Sequence, residues 1–396
     1  MTAWQARART LADQLKNSGV VTDPAWYEAF TATPRHLFVP RFYALDAYNL
    51  PSRLVDGEDP AQHEEWLDAL YADQPLVTQF TVAGVDEDGV EVRVPTSTAS
   101  MPSVLAVMLD RLDLRDGHRV LEIGTGSGYN AALLCQRVGS ENVVSVDIDP
   151  DLVAEAARRL KAAGHHPQLV AGDGAAGVPD AAPFDRIIAT CGVRHIPPAW
   201  IEQLAPGGRI VTPLTGTTAG ALAILDLYAP GEVRGHLDRR ALHAVLLREG
   251  IDGVPRDSRF LTPSPPAVTG VGFRSLTSVD PRLVSAPAFS LWLELHLRDT
   301  HLSHTVDDSG EPDCLVLFSQ EDSAYVRYEP VAEGTWAVTQ YGRRRLWDTV
   351  EAAWRSWRRH GRPGRERLGV TAGTGPGEQY VWLDAPDSAV TWPLPL

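Results

Sequence analysis

The segment Val120-Leu-Glu-Ile-Gly-Thr-Gly-Ser-Gly128 runs a short apolar strand straight into a turn with three glycines. Glycine carries no Cβ, so a backbone built from it can approach a ligand closely. Asp147 ends the next apolar run, Val143-Val-Ser-Val146. A carboxylate at the tip of that strand can accept hydrogen bonds from both hydroxyls of a ribose. The pairing points to an adenosine-containing cofactor at the edge of a parallel sheet. The spacing Gly124-x-Gly126-x-Gly128 differs from the dinucleotide pattern G-x-G-x-x-G, and Glu122 suits a cationic ligand better than a pyrophosphate. Taken alone, the turn also fits an ordinary strand-to-helix connection.

The surrounding elements argue for the ligand site. Tyr129 to Val138 reads as a helix and Asn142 to Val146 as a second strand. Asp149-Pro150 starts a helix over Asp151 to Ala163, and Gly164 stops it. Leu169-Val-Ala-Gly-Asp-Gly174 gives a third strand, Phe184 to Thr190 a fourth, and Pro206-Gly-Gly-Arg-Ile-Val-Thr-Pro213 leads into a fifth. Strands alternating with helices predict an α/β, doubly wound sheet with the ligand over the carboxyl ends of the strands.

The chain has 396 residues and 44% apolar composition, enough for a core enzyme domain with an addition. No apolar run reaches membrane-spanning length, and the start lacks an apolar secretory core, so a cytoplasmic protein is expected. Cys135, Cys191 and Cys314 are scattered, which argues against a disulfide framework or a metal site. Net charge is -15, and eleven acidic residues with no lysine or arginine fall between Leu54 and Val92. Such a surface repels nucleic acid and attracts a cationic partner; the plainer reading is a solvated acidic loop.

Ahead of the cofactor strand lie Pro34-Arg-His-Leu-Phe-Val-Pro40, Tyr71-Ala-Asp-Gln-Pro-Leu76 and Thr98-Ala-Ser-Met-Pro102. With Val120 to Tyr129 these segments resemble the motifs of protein-L-isoaspartate O-methyltransferases, in the same order, over roughly Trp4 to Gly250. The resemblance implies a Rossmann-like methyltransferase core and S-adenosyl-L-methionine as cofactor. It implies that Ser100 is the essential serine. It further implies cofactor contacts from Ser97 and Thr98, from Glu122, Gly124, Thr125, Gly126 and Gly128, from Asp147 at the ribose, and from Asp173 and Gly174 at the adenine. On its residues alone, Ser100 before Met101-Pro102 also suits a helix start over Pro102 to Leu112. A substrate carboxylate is already ionised at neutral pH, so Ser100 would orient it by hydrogen bonding, with no strong base and no metal.

Two acidic additions depart from the family pattern. One, Pro51 to Ala69, precedes Tyr71; the other, Thr78 to Pro95, alternates like a hairpin around Asp86-Glu-Asp-Gly89. Both flank the segment bearing Ser100, which favours a docking surface for a basic peptide at Asp86, Glu87 and Asp88. The chain thus divides into 1–95, an N-terminal helical segment with the acidic insertions; 96–252, the cofactor-binding core; and 253–396, a smaller α+β C-terminal domain. In that last part Leu291 to Leu297, Cys314 to Phe318, Ala324 to Tyr328 and Trp336 to Tyr341 alternate like strands. A helix is predicted from about Arg345 to His360, with closing strands at Leu368 to Thr371 and Gln379 to Leu383. Its arginines would pair with the acidic N-terminal part or meet an acidic ligand.

With such an extension the chain resembles the methyltransferases of ribosomally made, modified peptides, such as lanthipeptides, lasso peptides and graspetides. That resemblance implies methylation of an L-aspartate in a cationic precursor peptide, followed by aspartimide formation. The alternative is a general repair methyltransferase for L-isoaspartyl proteins. A third reading is a catalytically silent binding module. Nucleic-acid methylation is disfavoured, because Ala189-Thr-Cys-Gly192 lacks the Asn/Asp-Pro-Pro-aromatic sequence such enzymes carry.

Overall fold

A computed structural model describes residues 2–45, 51–85, 91–242, 244–248, 271–307 and 309–395. Helix α1 (Ala3–Asn17) buries Ala8, Leu11, Ala12 and Leu15, one stripe at helical spacing. It packs on α2 (Pro24–Ala32), which Asp23 caps, and α3 (Arg35–Phe38) follows. Strands β1 (Arg41–Leu45) and β2 (Pro51–Asp56), helix α4 (His63–Leu70), and strands β3 (Leu76–Val85) and β4 (Glu91–Ala99) come next. These strands form an antiparallel sheet of order β2-β1-β3-β4, so both acidic additions contribute strands to it. The alternation after Thr78 is the β3–β4 hairpin, and β4 ends one residue before Ser100.

The core then runs α5 (Pro102–Leu112), β5 (Val120–Ile123), α6 (Tyr129–Val138), β6 (Val143–Asp147), α7 (Pro150–Ala162) and β7 (Gln168–Ala171). It continues with β8 (Phe184–Ala189), α8 (Pro198–Glu202), β9 (Leu204–Thr215), β10 (Gly220–Ala229) and β11 (Glu232–Ala241). Strands β7-β6-β5-β8-β9 are parallel neighbours, with β5 at the point where the winding reverses. This is the α/β doubly wound methyltransferase sheet that the sequence predicts, and ligands bind over the carboxyl ends at such a reversal. Its two faces bury separately. Leu121, Ile123 and Ile187 join one cluster with Trp200, whereas Val120, Ile188 and Val211 join another with α1, α2, α5 and α6.

Beyond this core lie β12 (Phe273–Thr277), α9 (Pro287–Glu294), β13 (His301–Val306), β14 (Pro312–Phe318), β15 (Ser323–Arg327), β16 (Trp336–Tyr341) and α10 (Leu346–Arg359). A second antiparallel sheet has order β12-β16-β15-β14-β13, and α10 packs on β14, β15 and β16. The chain then returns to the central sheet. Strands β17 (Leu368–Gly373), β18 (Gln379–Leu383) and β19 (Thr391–Pro393) extend it past β11, which β17 pairs antiparallel.

One predicted strand is a helix. Leu291 to Leu297 alternates in sequence, yet Pro287 to Glu294 form α9. Leu291, Trp292, Leu293 and Leu295 are all buried, so alternation there marks no face, and Pro287 sets the first helical turn. Glu294 is buried at 1% exposure, and its carboxylate accepts from the backbone N–H groups of Thr217 (2.8 Å), Thr218 (2.7 Å) and Ala219 (3.1 Å). That clasp fixes α9 to the β9–β10 turn. The C-terminal arginines pair locally rather than with the N-terminal acids: Arg355 with Glu351, Arg367 with Asp384, Arg344 with Asp322.

Candidate active site

The turn after β5 is tight because its glycines take positive φ, +92° at Gly124, +49° at Gly126 and +86° at Gly128. They do different work. A Cβ at Gly124 would stand 3.0 Å from Thr190 Oγ1, and one at Gly128 would stand 3.1 Å from Ala156 Cβ. Gly128 thus lets α7 pack close, while Gly124 and Gly126 line an open cleft with Asp147. Asp147 Oδ2 accepts the Gly126 N–H at 2.9 Å, and Oδ1 accepts the Asp149 N–H at 3.1 Å. A carboxylate has about four acceptor sites, so capacity remains for hydroxyl donors in the cleft.

Glu122 lies elsewhere than the sequence reading placed it. It is fully buried beneath the turn, accepting from Asn130 Nδ2 at 2.8 Å and Ser145 Oγ at 2.5 Å. Ser145 Oγ also meets Thr125 Oγ1 at 2.6 Å. Burial pushes the Glu122 carboxyl up to about 7, despite those hydrogen bonds. Glu122 and Thr125 therefore brace the turn from below and do not line the cleft. Asp173 is exposed and accepts from Ala175 N at 2.9 Å, whereas its neighbour Gly174 does line the cleft.

The opposite wall is β4, through Thr96, Ser97 and Thr98. Thr78 Oγ1 donates to Ser97 Oγ at 2.9 Å, and Thr96 Oγ1 donates to Gln79 Oε1 at 2.8 Å. Gln79 Nε2 then donates to Asp149 Oδ2 at 3.0 Å, tying the hairpin to the start of α7. Burial alone would raise Asp149, but hydrogen bonds from Gln79, Leu152 and Asp151 and the nearby Arg248 hold it below the usual carboxylate range. Residues 244–248 cross the cleft instead of adding a strand: Gly192 N donates to Val245 O, and Leu247 N donates to Gly192 O, both at 2.8 Å. Sequence reasoning missed Gln79, Cys191 and this crossing, since no motif spacing marks them. Cys191 lines the cleft with its thiol pushed up to about 12 by burial, which leaves it inert.

Ser100 is half-buried just past β4, outside the lining of the cleft itself. It does not cap α5. Met101 holds the N-cap position, and Asp73 accepts the Ser103 N–H at 2.8 Å from a loop thirty residues earlier. Among the described residues the Ser100 hydroxyl has no hydrogen-bond partner. Its carbonyl, by contrast, is pinned by the buried Arg35, whose Nη2 donates to Ser100 O at 3.0 Å and Nη1 to Leu70 O at 2.9 Å. Arg35 also lies 5.4 Å from the centre of the Tyr129 ring, so one cation joins three of the sequence motifs.

Asp86, Glu87 and Asp88, the expected docking acids, lie outside the described residues. Apart from Glu58, the other acids of that stretch are engaged within the chain. Glu64 and Asp68 meet Arg7, Glu65 meets Arg53, Glu91 meets Arg93, and Asp59 and Asp73 accept backbone N–H groups. Chemically, the cleft joins a side-chain-free turn, an acceptor carboxylate and the apolar side chains of Ile148, Leu152 and Leu247. That set fits an adenosyl group: a diol for Asp147 and a flat ring for the apolar wall. Among the described residues no helix is long and apolar enough to cross a membrane.

The sequence model of the protein-L-isoaspartate(D-aspartate) O-methyltransferases matches residues 6–237. Protein-L-isoaspartate O-methyltransferase 2 of Archaeoglobus fulgidus is 35% identical over 210 residues, 52% of this chain and 78% of the relative. The protein-L-isoaspartate O-methyltransferase of Methanopyrus kandleri is 32% identical over 233 residues, 58% of this chain and 86% of the relative. A solved structure named protein-L-isoaspartate O-methyltransferase superposes with a TM-score of 0.51 at 22% identity, covering 96% of this chain and 100% of that one.

Proposed function

The chain belongs to the protein-L-isoaspartate(D-aspartate) O-methyltransferase family of S-adenosylmethionine-dependent protein carboxyl methyltransferases, and we propose that its acceptor is the carboxylate of L-isoaspartyl residues in proteins. The observation that carries this reading is Ser100, whose hydroxyl is uncommitted while its backbone is pinned by Arg35. When bound, S-adenosylmethionine supplies a methyl group already activated by its sulfonium. Asp147, Gly124, Gly126, Ser97, Thr98 and Gly174 hold the cofactor, and Glu122 and Thr125 keep the turn in shape. Ser100 donates a hydrogen bond to one oxygen of the acceptor carboxylate and leaves the other facing the cleft. No proton has to leave the acceptor, so positioning and exclusion of water are what the protein adds.

The narrower reading, an L-aspartate in a basic precursor peptide, has less behind it. Asp86, Glu87 and Asp88 of its docking surface lie outside the described residues, acids elsewhere in that stretch engage the chain's own arginines and backbone, and its C-terminal extension falls within a superposition covering 96% of the chain. One experiment separates the two: matched peptides with an L-isoaspartyl or an L-aspartyl linkage, incubated with cofactor and followed by mass. Methylation of the isoaspartyl peptide alone is expected. Methylation of the aspartyl peptide alone would overturn the repair reading. Ser100→Ala should lower kcat/KM about 100-fold and leave S-adenosylhomocysteine binding unchanged, because the hydroxyl serves only the acceptor.

A further inference from the structure

The five-stranded C-terminal sheet has one face packed by helices; on the other, Cys314, Val316 and Phe318 are buried while the strand ends nearby are exposed. Leu315, Leu317, Ala324, Val326 and Val338 point to the side where α9 and α10 pack. Side chains alternate along a strand, so their neighbours face the other way. There Arg274, Tyr325, Arg327 and Tyr341, with Thr305 and Asp313, line a shallow cavity of about 370 Å³. Arg274 and Arg327 are exposed, and among the described residues neither guanidinium has an ion-pair or hydrogen-bond partner. They leave two positive charges without a counter-charge on a chain whose net charge is -15.

The register sets their separation. Arg274 pairs with Thr339, Thr339 with Tyr325, and Arg327 stands two residues further along β15. Two strand spacings and two residues put the Cα atoms roughly 12 Å apart, within reach of side chains that converge on a shared ligand. Between them lie Ala337 and Thr339, and the Tyr325 and Tyr341 rings, edge to face at 6.0 Å, border the cavity beside them. Two unpaired guanidinium forks whose side chains converge can meet carboxylates at alternate positions of an extended strand, about 7 Å apart on one face.

We propose that this face docks an acidic segment of a polypeptide in extended conformation. A nucleic-acid strand fits less well. Its phosphates are continuous, whereas the cavity offers two isolated cations beside the Asp313 carboxylate. Asp313 is turned to Thr305, whose hydroxyl donates to it, so the carboxylate borders the cavity and leaves both arginines unneutralised. This cavity shares no lining residue with the cofactor cleft, which makes it a second contact surface, separate from methyl transfer.

The test uses the full chain and a fluorescein-labelled peptide of alternating glycine and glutamate, which places every carboxylate on one face. Its glutamine counterpart and an oligothymidylate of equal charge complete the set. The glutamate peptide should bind in a salt-sensitive way, and Arg274→Ala/Arg327→Ala should weaken it at least about tenfold, the order expected when two charge-assisted contacts are lost. Both positions are exposed, so the thermal midpoint should not move. Arg358→Ala/Arg359→Ala, the same charge removed from α10, should leave binding intact. Equal affinity for the glutamine peptide, tighter binding of the oligonucleotide, or equal loss in the control pair would each overturn the proposal.

Discussion

On the glycine-turn side of the cleft, the polar groups that shape the ligand space are already tied to one another. Glu122, Ser145, Thr125 and Asn130 form one buried network beneath the turn, and Asp147 receives two backbone N–H groups. On the Ser100 side the backbone is fixed by a single buried cation, and the hydroxyl is left over. The difference separates two tasks. Affinity for an unchanging cofactor rewards a site that has lost its freedom before the ligand arrives. An acceptor presented by many different proteins needs one oriented donor on a firm base, with the rest of the contact left open.

Replacing Gly124 with valine attacks the braced side where it is least tolerant. The residue sits at φ +92°, and its Cβ would crowd Thr190 Oγ1 at 3.0 Å. S-adenosylhomocysteine affinity, measured by calorimetry, should fall about 100-fold or more, since strained φ and a steric clash each cost a few kcal/mol. A loss under about threefold would show that the turn is softer than the acceptor side, reversing the comparison.

Glu122→Gln sharpens it. Burial raises the folded carboxyl to about 7 from its ordinary 4.5, so the folded state keeps a proton that the unfolded chain releases between those values. Stability from this group is therefore full below the unfolded pKa and is lost as pH rises through about 7. The glutamine variant should not share that loss, gaining about 3 kcal/mol on the native protein between about pH 5 and pH 8 in urea unfolding. A constant gap between the two proteins would mean that the network holds a charged Glu122.

Asp73→Ala tests the acceptor side with the smallest expected effect. Loss of the hydrogen bond to Ser103 N should cost about 1 kcal/mol in thermal unfolding. Because α5 begins two residues after Ser100, kcat/KM should fall while cofactor affinity holds. A change in cofactor affinity instead would show that the two sides share a support.

The parallel half of the central sheet was legible because each strand is a short apolar run closed by a glycine or an acid, and each helix carries its own start and stop. Asp149-Pro150 and Gly164 are cases in point. Ser97, Thr98, Gly124, Gly126, Asp147 and Gly174 do gather around one cleft. Glu122 was misplaced for a physical reason: every residue of β5 is buried, and its charge suggested a ligand where Ser145 and Asn130 are its partners. Arg35 and Asp73 went unassigned because each acts on backbone groups far along the chain, which spacing cannot reveal. Leu368 to Thr371 and Gln379 to Leu383 read as strands, but nothing local in them says that the first pairs with β11 rather than the nearer second sheet.

That last pairing bears on how the polypeptide is made. Strand β11 ends at Ala241 and waits for Leu368 to Gly373 to leave the ribosome before its outer edge is covered. Throughout that interval the half-built enzyme offers a row of bare N–H and C=O groups to any other nascent strand. A stop codon between Arg248 and Leu368 would yield a protein with every cofactor-cleft residue named above and a permanently adhesive flank. Such a fragment should be recovered in inclusion bodies or on a chaperone, however intact its catalytic half.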